Sequence, residues 1–266
     1  INEVCSSNDE SYIDNNGESP DWIELYNNTD TAIPLDGYYI SDNLDYSYKW
    51  RMPNVIIGAG EFLIIIADGQ DNADELRTSF KLAKLGEEVT LKSPYNELVD
   101  HIIIPQLKSD ISYGLVNGNL EYLTPSPLAI NKVEDIQIRL DIPTPTIAGG
   151  IYQDNVTLDF TSFGEVHYKF NNRSKKDEYI YSGESITLTE TTVICYWADA
   201  DGYLDSPIQC ETYFIDVDHS LPLLSVVGDS IDLFSFEEGL FEFGPNAEEE
   251  WPHWGANFWS NDEKPV

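Results

Sequence analysis

The sequence predicts an all-β protein built of β-sandwiches, on three observations. Helical periodicity is almost absent along the 266 residues. Short runs rich in Val, Ile, Thr and Tyr alternate with clusters of Gly, Pro, Asn and Asp, as strands alternate with turns. In the second half the apolar residues recur at every other position, the pattern of a strand with one buried face.

The strands follow in order. "DWIELYN" (21–27), "GYYISD" (37–42), "EFLIIIAD" (61–68), "EEVTLKS" (87–93) and "LVDHIII" (98–104) read as strands, with "IGAGE" (57–61) and "DGQDNADE" (68–75) as turns or loops between them. "FLIIIA" is apolar on both parities, which predicts a central strand covered on both faces. The one helix candidate, "ADELRTSF" (73–80), has room for one or two turns. A change of composition and a Pro-x-Pro step mark a linker at 132–141. Beyond it, Val156, Leu158 and Phe160 share one strand face, and so do Val166, Tyr168 and Phe170. The same alternation predicts an inward set of Val193, Cys195 and Trp197.

Composition narrows the function. The chain carries 48 acidic against 14 basic residues, a net charge of -34. Such a surface repels phosphate backbones and anionic lipid, so neither nucleic-acid binding nor direct membrane insertion is expected, and solubility alone accounts for the charge. The longest apolar run falls far short of the roughly 20 residues that span a bilayer. Three cysteines are too few for a disulfide scaffold. Cys195 and Cys210 lie in one β-rich region and are candidates to pair across a hairpin; the alternative is two small core residues. The sequence starts at Ile1 without Met or an apolar leader, which reads as a mature or trimmed chain whose targeting segment has been removed.

Catalytic motifs are missing from the sequence. His101, His167, His219 and His253 are scattered without zinc spacing, and no nucleophile elbow or phosphate loop occurs. Asp21 and Glu24 in "DWIELY" form a carboxylate pair of glycosidase type, but a surface strand with a capping Asp explains them better. Calcium is the chemical alternative, since it takes carboxylate and carbonyl oxygens from loops. Its candidate ligands are Asp199, Asp201 and Asp205, or Asp68, Asp71 and Asp74, with "SDNLDYS" (Asp42, Asn43, Asp45) a third loop. An Asp-Gly turn accounts equally for the first trio. Asn27-Asn28-Thr29, Asn155-Val156-Thr157 and Asn172-Arg173-Ser174 match the glycosylation acceptor pattern and are read as accidental. Trp22 and Trp197 are expected in strand cores, whereas Trp50 and the terminal Trp251, Trp254 and Trp259 are candidates for ring stacking.

Several motifs in order resemble a known family. "INEV", "DWIELYNNTD", "IPLDGYYISD", "IGAGEFLIIIADG", "FKLAKLGEEVTLKSP", "ISYGL" and "TPSPLAIN" together resemble the lamin tail domain in its bacterial secreted form, over 1–131. The resemblance implies an immunoglobulin-like β-sandwich without catalysis. Residues 142–216, with "PTPTIAGGIYQDNVTLDFTS", "VHYKFN" and "YIYSGESITLTETTVICYWADADGYLDSPIQCETYFI", resemble the accessory β-sandwich at the ends of chitobiase and β-hexosaminidase enzymes. Residues 217–266, with "HSLPLLSVVGDSIDLFSFEEGLFEFGPN" and "WGANFWSNDEKPV", look like the truncated start of a CotH kinase-like domain. The resemblances imply two immunoglobulin-like sandwiches in tandem plus a partial C-terminal segment. They imply a non-catalytic adhesion, scaffold or interaction fragment of a secreted or envelope-attached protein, with other proteins or surface glycans as partners. Two alternatives stand beside this. The fragment could belong to an atypical secreted kinase whose catalytic residues lie beyond Val266, or it could be a glycan-binding accessory module. The closing "WPHWGANFWSNDEKPV" reads as the first segment of a domain whose partner strands are absent, expected either to dock on 142–216 or to pack in a crystal contact.

Overall fold

Two compact units divide the chain between Gln137 and Ile138. The computed structural model describes residues 1–171, 178–218, 221–228, 233–236, 239–253 and 255–259. The Asn172-Arg173-Ser174 pattern, His219 and Trp254 lie outside the described residues.

The first unit contains strands β1 (Glu3–Cys5), β2 (Trp22–Tyr26), β3 (Ile33–Pro34), β4 (Tyr39–Ser41), β5 (Trp50–Arg51), β6 (Ile56–Ile57), β7 (Phe62–Ile66), β8 (Glu87–Lys92), β9 (Leu98–Ile104), β10 (Ser112–Val116) and β11 (Asn119–Leu123). They form a five-stranded sheet ordered β11-β10-β1-β2-β7, a four-stranded sheet ordered β5-β4-β8-β9 and the two-stranded pair β3-β6. Val4, Ile23, Leu25 and Ile65 of the first sheet meet Ile40, Val89, Leu91, Ile102 and Ile104 of the second, and burial of this layer drives the fold. Trp50 and Met52 complete it. Trp50 is therefore a core residue and not a stacking platform. The helix candidate at 73–80 is a single 3-10 turn, Ala73–Glu75.

β7 corrects one expectation. Its faces are both covered, but it lies at the end of its sheet, not in the centre. Its outer edge is closed by the 76–78 segment: the Ile66 N–H donates to Leu76 O at 2.9 Å and the Thr78 N–H to Ile66 O at 2.8 Å. The face away from the core is covered by a small cluster of Cys5, Trp22 and Ile64 with Tyr12 packed on it. An apolar run on both parities reports two covered faces and is silent about sheet position.

Residues 132–137 remain with the first unit, where the Gln137 N–H donates to Tyr122 O at 2.7 Å and the Thr124 N–H to Asp135 O at 2.8 Å. From 138 onward the chain pairs with the second unit through the Leu140 N–H and Leu204 O at 2.9 Å. The stretch read as a linker is thus hydrogen-bonded at both ends.

The second unit adds β12 (Thr144–Pro145), β13 (Gly150–Tyr152), β14 (Val156–Leu158), β15 (Phe160–Thr161), β16 (Glu165–Phe170), β17 (Tyr179–Ile180), β18 (Ile186–Leu188), β19 (Thr192–Asp199) and β20 (Gln209–Ile215). The main sheet runs β13-β20-β19-β16-β17, faced by the pairs β14-β18 and β12-β15. Val156, Leu158, Phe160 and Val166 enter one core with Leu188, Ile194, Tyr196, Tyr213 and Ile215.

The phase of β19 is the reverse of the expected one. Ile194 and Tyr196 face the core, while Cys195 and Trp197 lie on the other face of the sheet and are buried there as well. Trp197 stacks on His167 at 5.5 Å between ring centroids, and the hydroxyls of Thr212 and Ser225 meet at 2.6 Å, bringing the 221–228 segment against the unit. With both faces shielded, "TTVICYWA" holds apolar residues at both parities, so the phase cannot be read from it. Cys195 and Cys210 stand opposite each other in β19 and β20 and are joined as a disulfide. The double variant Cys195→Ala, Cys210→Ala is expected to destabilise the second unit by about 3 kcal/mol, as for any bridge closing a loop of this length. Urea denaturation of the oxidised and variant proteins measures it, and coincident curves would refute it.

In the C-terminal segment, Phe243 packs against His253 and Phe258, and the Asn257 side-chain amide donates to the carbonyls of Phe236 and Gly239. These contacts lie among residues 236–258. Trp251 is 86% exposed. Among the described residues no helix is long and apolar enough to cross a membrane.

Candidate functional site

The carboxylates expected to gather around a cation do not form a ligand set. Among the described residues no group of three or more His, Cys, Asp or Glu side chains is placed to hold a metal ion. Asp68 is ion-paired with Arg77 and its other oxygen accepts the Gln70 N–H at 3.1 Å. Asp71 has a positive φ of 52° in the loop, and Asp74 is exposed on the 3-10 turn. Asp199 ends β19, Asp201 precedes the positive-φ Gly202 in the turn, and Asp205 accepts from Arg139 Nε through its backbone carbonyl at 3.1 Å. In the third loop Asp42 is held by Lys49 Nζ at 2.7 Å, and Asn43 Oδ1 accepts the N–H of Asp45. Asn27, the first acceptor asparagine, is buried, and its amide donates to the carbonyls of Thr31, Ile57 and Gly58.

Two other carboxylates of the first unit are fully buried. Val4, Ile23 and Leu25 point into the sandwich, so strand alternation sends Glu3, Cys5, Trp22 and Glu24 to the opposite face. Glu3 and Glu24 are direct cross-strand partners, and both are 0% exposed. The earlier reading of Glu24 as a surface-strand residue beside Asp21 is therefore corrected. Asp21 instead accepts the Asn8 N–H at 3.0 Å. Sequence reasoning missed Glu3, because its partner becomes visible only when the register of β1 on β2 is known.

The segment 126–131 lies over the pair. Glu3 accepts from the Ser112 hydroxyl and, at 3.1 Å, from the Ser126 N–H. Glu24 accepts from Asn2 Nδ2 at 2.7 Å and from the Leu128 N–H at 2.5 Å. Asn131 completes the latch: its amide donates to Asn2 O at 3.2 Å and Leu115 O at 3.1 Å. Gly114 makes room for it, since a Cβ there would sit 2.7 Å from Asn2 O and 2.8 Å from the Asn131 amide. Burial pushes the Glu24 carboxyl up to about 7; hydrogen bonds from Leu128 and Asn2 oppose this, and neighbouring Glu3 adds to it. Burial raises Glu3 in the same way. A glycosidase pair needs an open cleft between its carboxyls. These two are closed over by chain and spend their oxygens on holding it, so the arrangement fastens the sheet and leaves no room for a substrate.

A second fastening holds the 8–20 loop. Arg77 is 1% exposed and is ion-paired with Asp14, Asp68 and, at 2.9 Å, Glu75. Burial alone would lower the guanidinium, but its bonds to Asp68, Glu75 and Asp14 hold it above its ordinary value. The Asp14 carboxyl is held below the usual range by the N–H of Glu18, the N–H of Asn16 and Arg77.

An open feature of the first unit is a cavity of about 390 Å³ between the sheets, lined by Leu25, Leu35 and Leu91 and reaching Val99, Asp100 and Leu115; another, of about 380 Å³, lies beside Tyr12, Asp14 and Arg77. The size of the first lies in the range of ligand pockets, and its walls are mainly apolar.

Residues 1–104 match the family model of the Lamin Tail Domain. The lamin tail match covers β1 to β9 of an immunoglobulin-like all-β fold, including both buried glutamates and the cavity lining except Leu115. β10 and β11 lie beyond it, although β10 pairs directly with β1 and supplies the Ser112 that holds Glu3. No curated protein matches the chain.

Proposed function

We propose that this chain is a non-catalytic interaction fragment of a secreted or envelope-attached multidomain protein, acting in adhesion or as a scaffold. The observation that carries the reading is the use of the buried carboxylates in a lamin tail sandwich: Glu3, Glu24 and Asp14 all serve as structural anchors. A bonded Cys195–Cys210 pair fits an oxidising compartment. The net charge of -34 argues for protein or glycan partners over nucleic acid or a membrane surface. The chitobiase-like reading of 142–216 and the CotH-like reading of 217–266 make the fragment an accessory part of a larger architecture.

Incubation of residues 1–266 with radiolabelled ATP, Mg²⁺ or Mn²⁺ and a casein acceptor is expected to give no phosphate transfer above the protein-free control. Transfer that survives repurification would overturn the non-catalytic reading and favour the kinase alternative.

A further inference from the structure

The edges of the first sandwich are not alike. β7 is closed by the 76–78 segment, and β11 is bonded by Ile136 and Gln137. β5 has only two residues. β9 has seven, ends its sheet, and among the described residues pairs with β8 alone. A long edge strand carries a row of unpaired N–H and C=O groups and is a template for another strand. β9 also exposes large apolar side chains, with Val99 at 52% and Ile103 at 68%.

A second observation is independent of the first. The register of β8 on β9 shifts between Leu91 and Lys92, so Leu91 faces Asp100 and Lys92 faces Leu98, which leaves Val99 as the extra residue of a bulge. Bulges redirect side chains at sheet edges and next to functional sites. Here the bulged Val99 lies on the wall of the 390 Å³ cavity, with Asp100 beside it. An edge that has no second partner strand among the described residues, with its His101 N–H held by Asp100 Oδ1 at 2.8 Å, and a mainly apolar pocket thus share the same two residues. Recognition by strand addition needs this pair of features: main-chain bonds supply affinity, and a pocket for an alternate side chain supplies selectivity.

We propose that β9 and the adjoining cavity form a docking site for an extended segment of another protein, which adds as a strand along Leu98–Ile104 and places one bulky apolar side chain between Leu25, Leu35 and Leu91. Charge selects the occupant. Asp100 is ion-paired with the Ile1 amino group, so exposed Glu97 is the acidic side chain at the edge; in a chain of net charge -34 a second copy would be repelled, whereas a segment with Lys or Arg beside its apolar residues is attracted. The proposal rests on the interaction-module reading and gives it a location and a partner chemistry.

The test is selection of a phage-displayed random octapeptide library on the whole chain, followed by synthesis of the enriched peptides. Expected are peptides with apolar residues at alternate positions and basic flanks, which protect the amides of 98–104 from hydrogen exchange and bind more weakly at high salt. Val99→Glu, at an exposed position, is expected to lower their affinity at least tenfold with an unchanged melting midpoint. Should that variant unfold, peptides N-methylated at alternate residues replace it, with the same tenfold loss expected on one of the two alternations. No enriched peptide, protection mapping to another strand, or undiminished binding by both the variant and the methylated peptides overturns the proposal. So does a concentration-dependent dimer in sedimentation that protects 98–104, which assigns the edge to a second copy. None of these results bears on the phosphate-transfer experiment, so the two readings fail separately.

Discussion

Replacing Arg77 by Met is expected to cost the first unit about 3–5 kcal/mol. The guanidinium is buried, and the Asp14 carboxylate that it pairs with is buried too, so its removal strands a charge without a partner. It also removes the tie between the 8–20 loop and the edge of β7, because the same side chain bonds Asp68 next to that strand. The loop carries Tyr12, which covers Trp22 and Cys5. Adding Asp14→Asn to Arg77→Met is expected to recover part of the loss, since the most deeply buried of the three stranded carboxylates is then neutral. Urea denaturation followed by tryptophan fluorescence measures both. A loss below ~1 kcal/mol for Arg77→Met would mean that the ion pairs contribute nothing beyond their desolvation cost.

Stability of the first unit is expected to fall as pH rises from about 4.5 to about 7. Glu24 is raised from 4.5 to about 7 in the folded state, chiefly by burial. A folded protein that holds a proton more tightly than the unfolded chain is stabilised below the unfolded pKa, and the stabilisation is lost as pH climbs through the folded pKa. At about 1.4 kcal/mol per pKa unit the loss amounts to ~3 kcal/mol. Glu3 shifts in the same direction and adds to it. Below the carboxylate range the sign reverses. Asp14 is held down by the Glu18 N–H, the Asn16 N–H and Arg77. Burial works against Asp110, but the N–H groups of Glu10, Asp9 and Ser11 hold it below its usual value. Their stabilisation is present above the unfolded pKa and disappears as pH falls through the folded one. The stability maximum is therefore expected at about pH 4, between the unfolded values of Asp and Glu. Glu24→Gln keeps an acceptor for the Leu128 N–H and is expected to flatten the fall between pH 5 and 8. Melting midpoints that rise over this interval, or a variant with the same slope as the wild type, would contradict the latch.

Strand positions in this protein were largely legible from the sequence, because turn-forming Gly, Pro, Asn and Asp punctuate the apolar runs. "WIELY", "EEVTLK" and "LVDHIII" became β2, β8 and β9 within a residue or two of the expected limits. Very short strands were harder. β3, β5 and β6 have two residues each, too few for any period to register. Phase failed where both faces are covered, as in β19, because alternation is informative only when one face meets water.

The candidate site was less legible than the fold. Asp21 and Glu24 attracted notice because they are close in the chain, yet Glu24 works with Glu3 across the sheet and with Leu128 more than a hundred residues away. The motifs "INEV" and "TPSPLAIN" were recognised as family marks without a reason for their residues. The reason is the latch: Glu3 from the first motif is held by Ser126 of the second, and Asn131 closes back on Asn2.

By itself the sequence determined the all-β class, the division into successive sandwiches and the acid excess, since each follows from local pattern and composition. Only the tertiary structure decided that β7 is an edge closed by its own loop, that β9 is an edge left open beside a cavity, and that two glutamates are buried face to face. Each of these depends on which strands become neighbours and in what register, and pairing between residues distant in the chain is set by the packing of the whole sandwich and not by any local stretch.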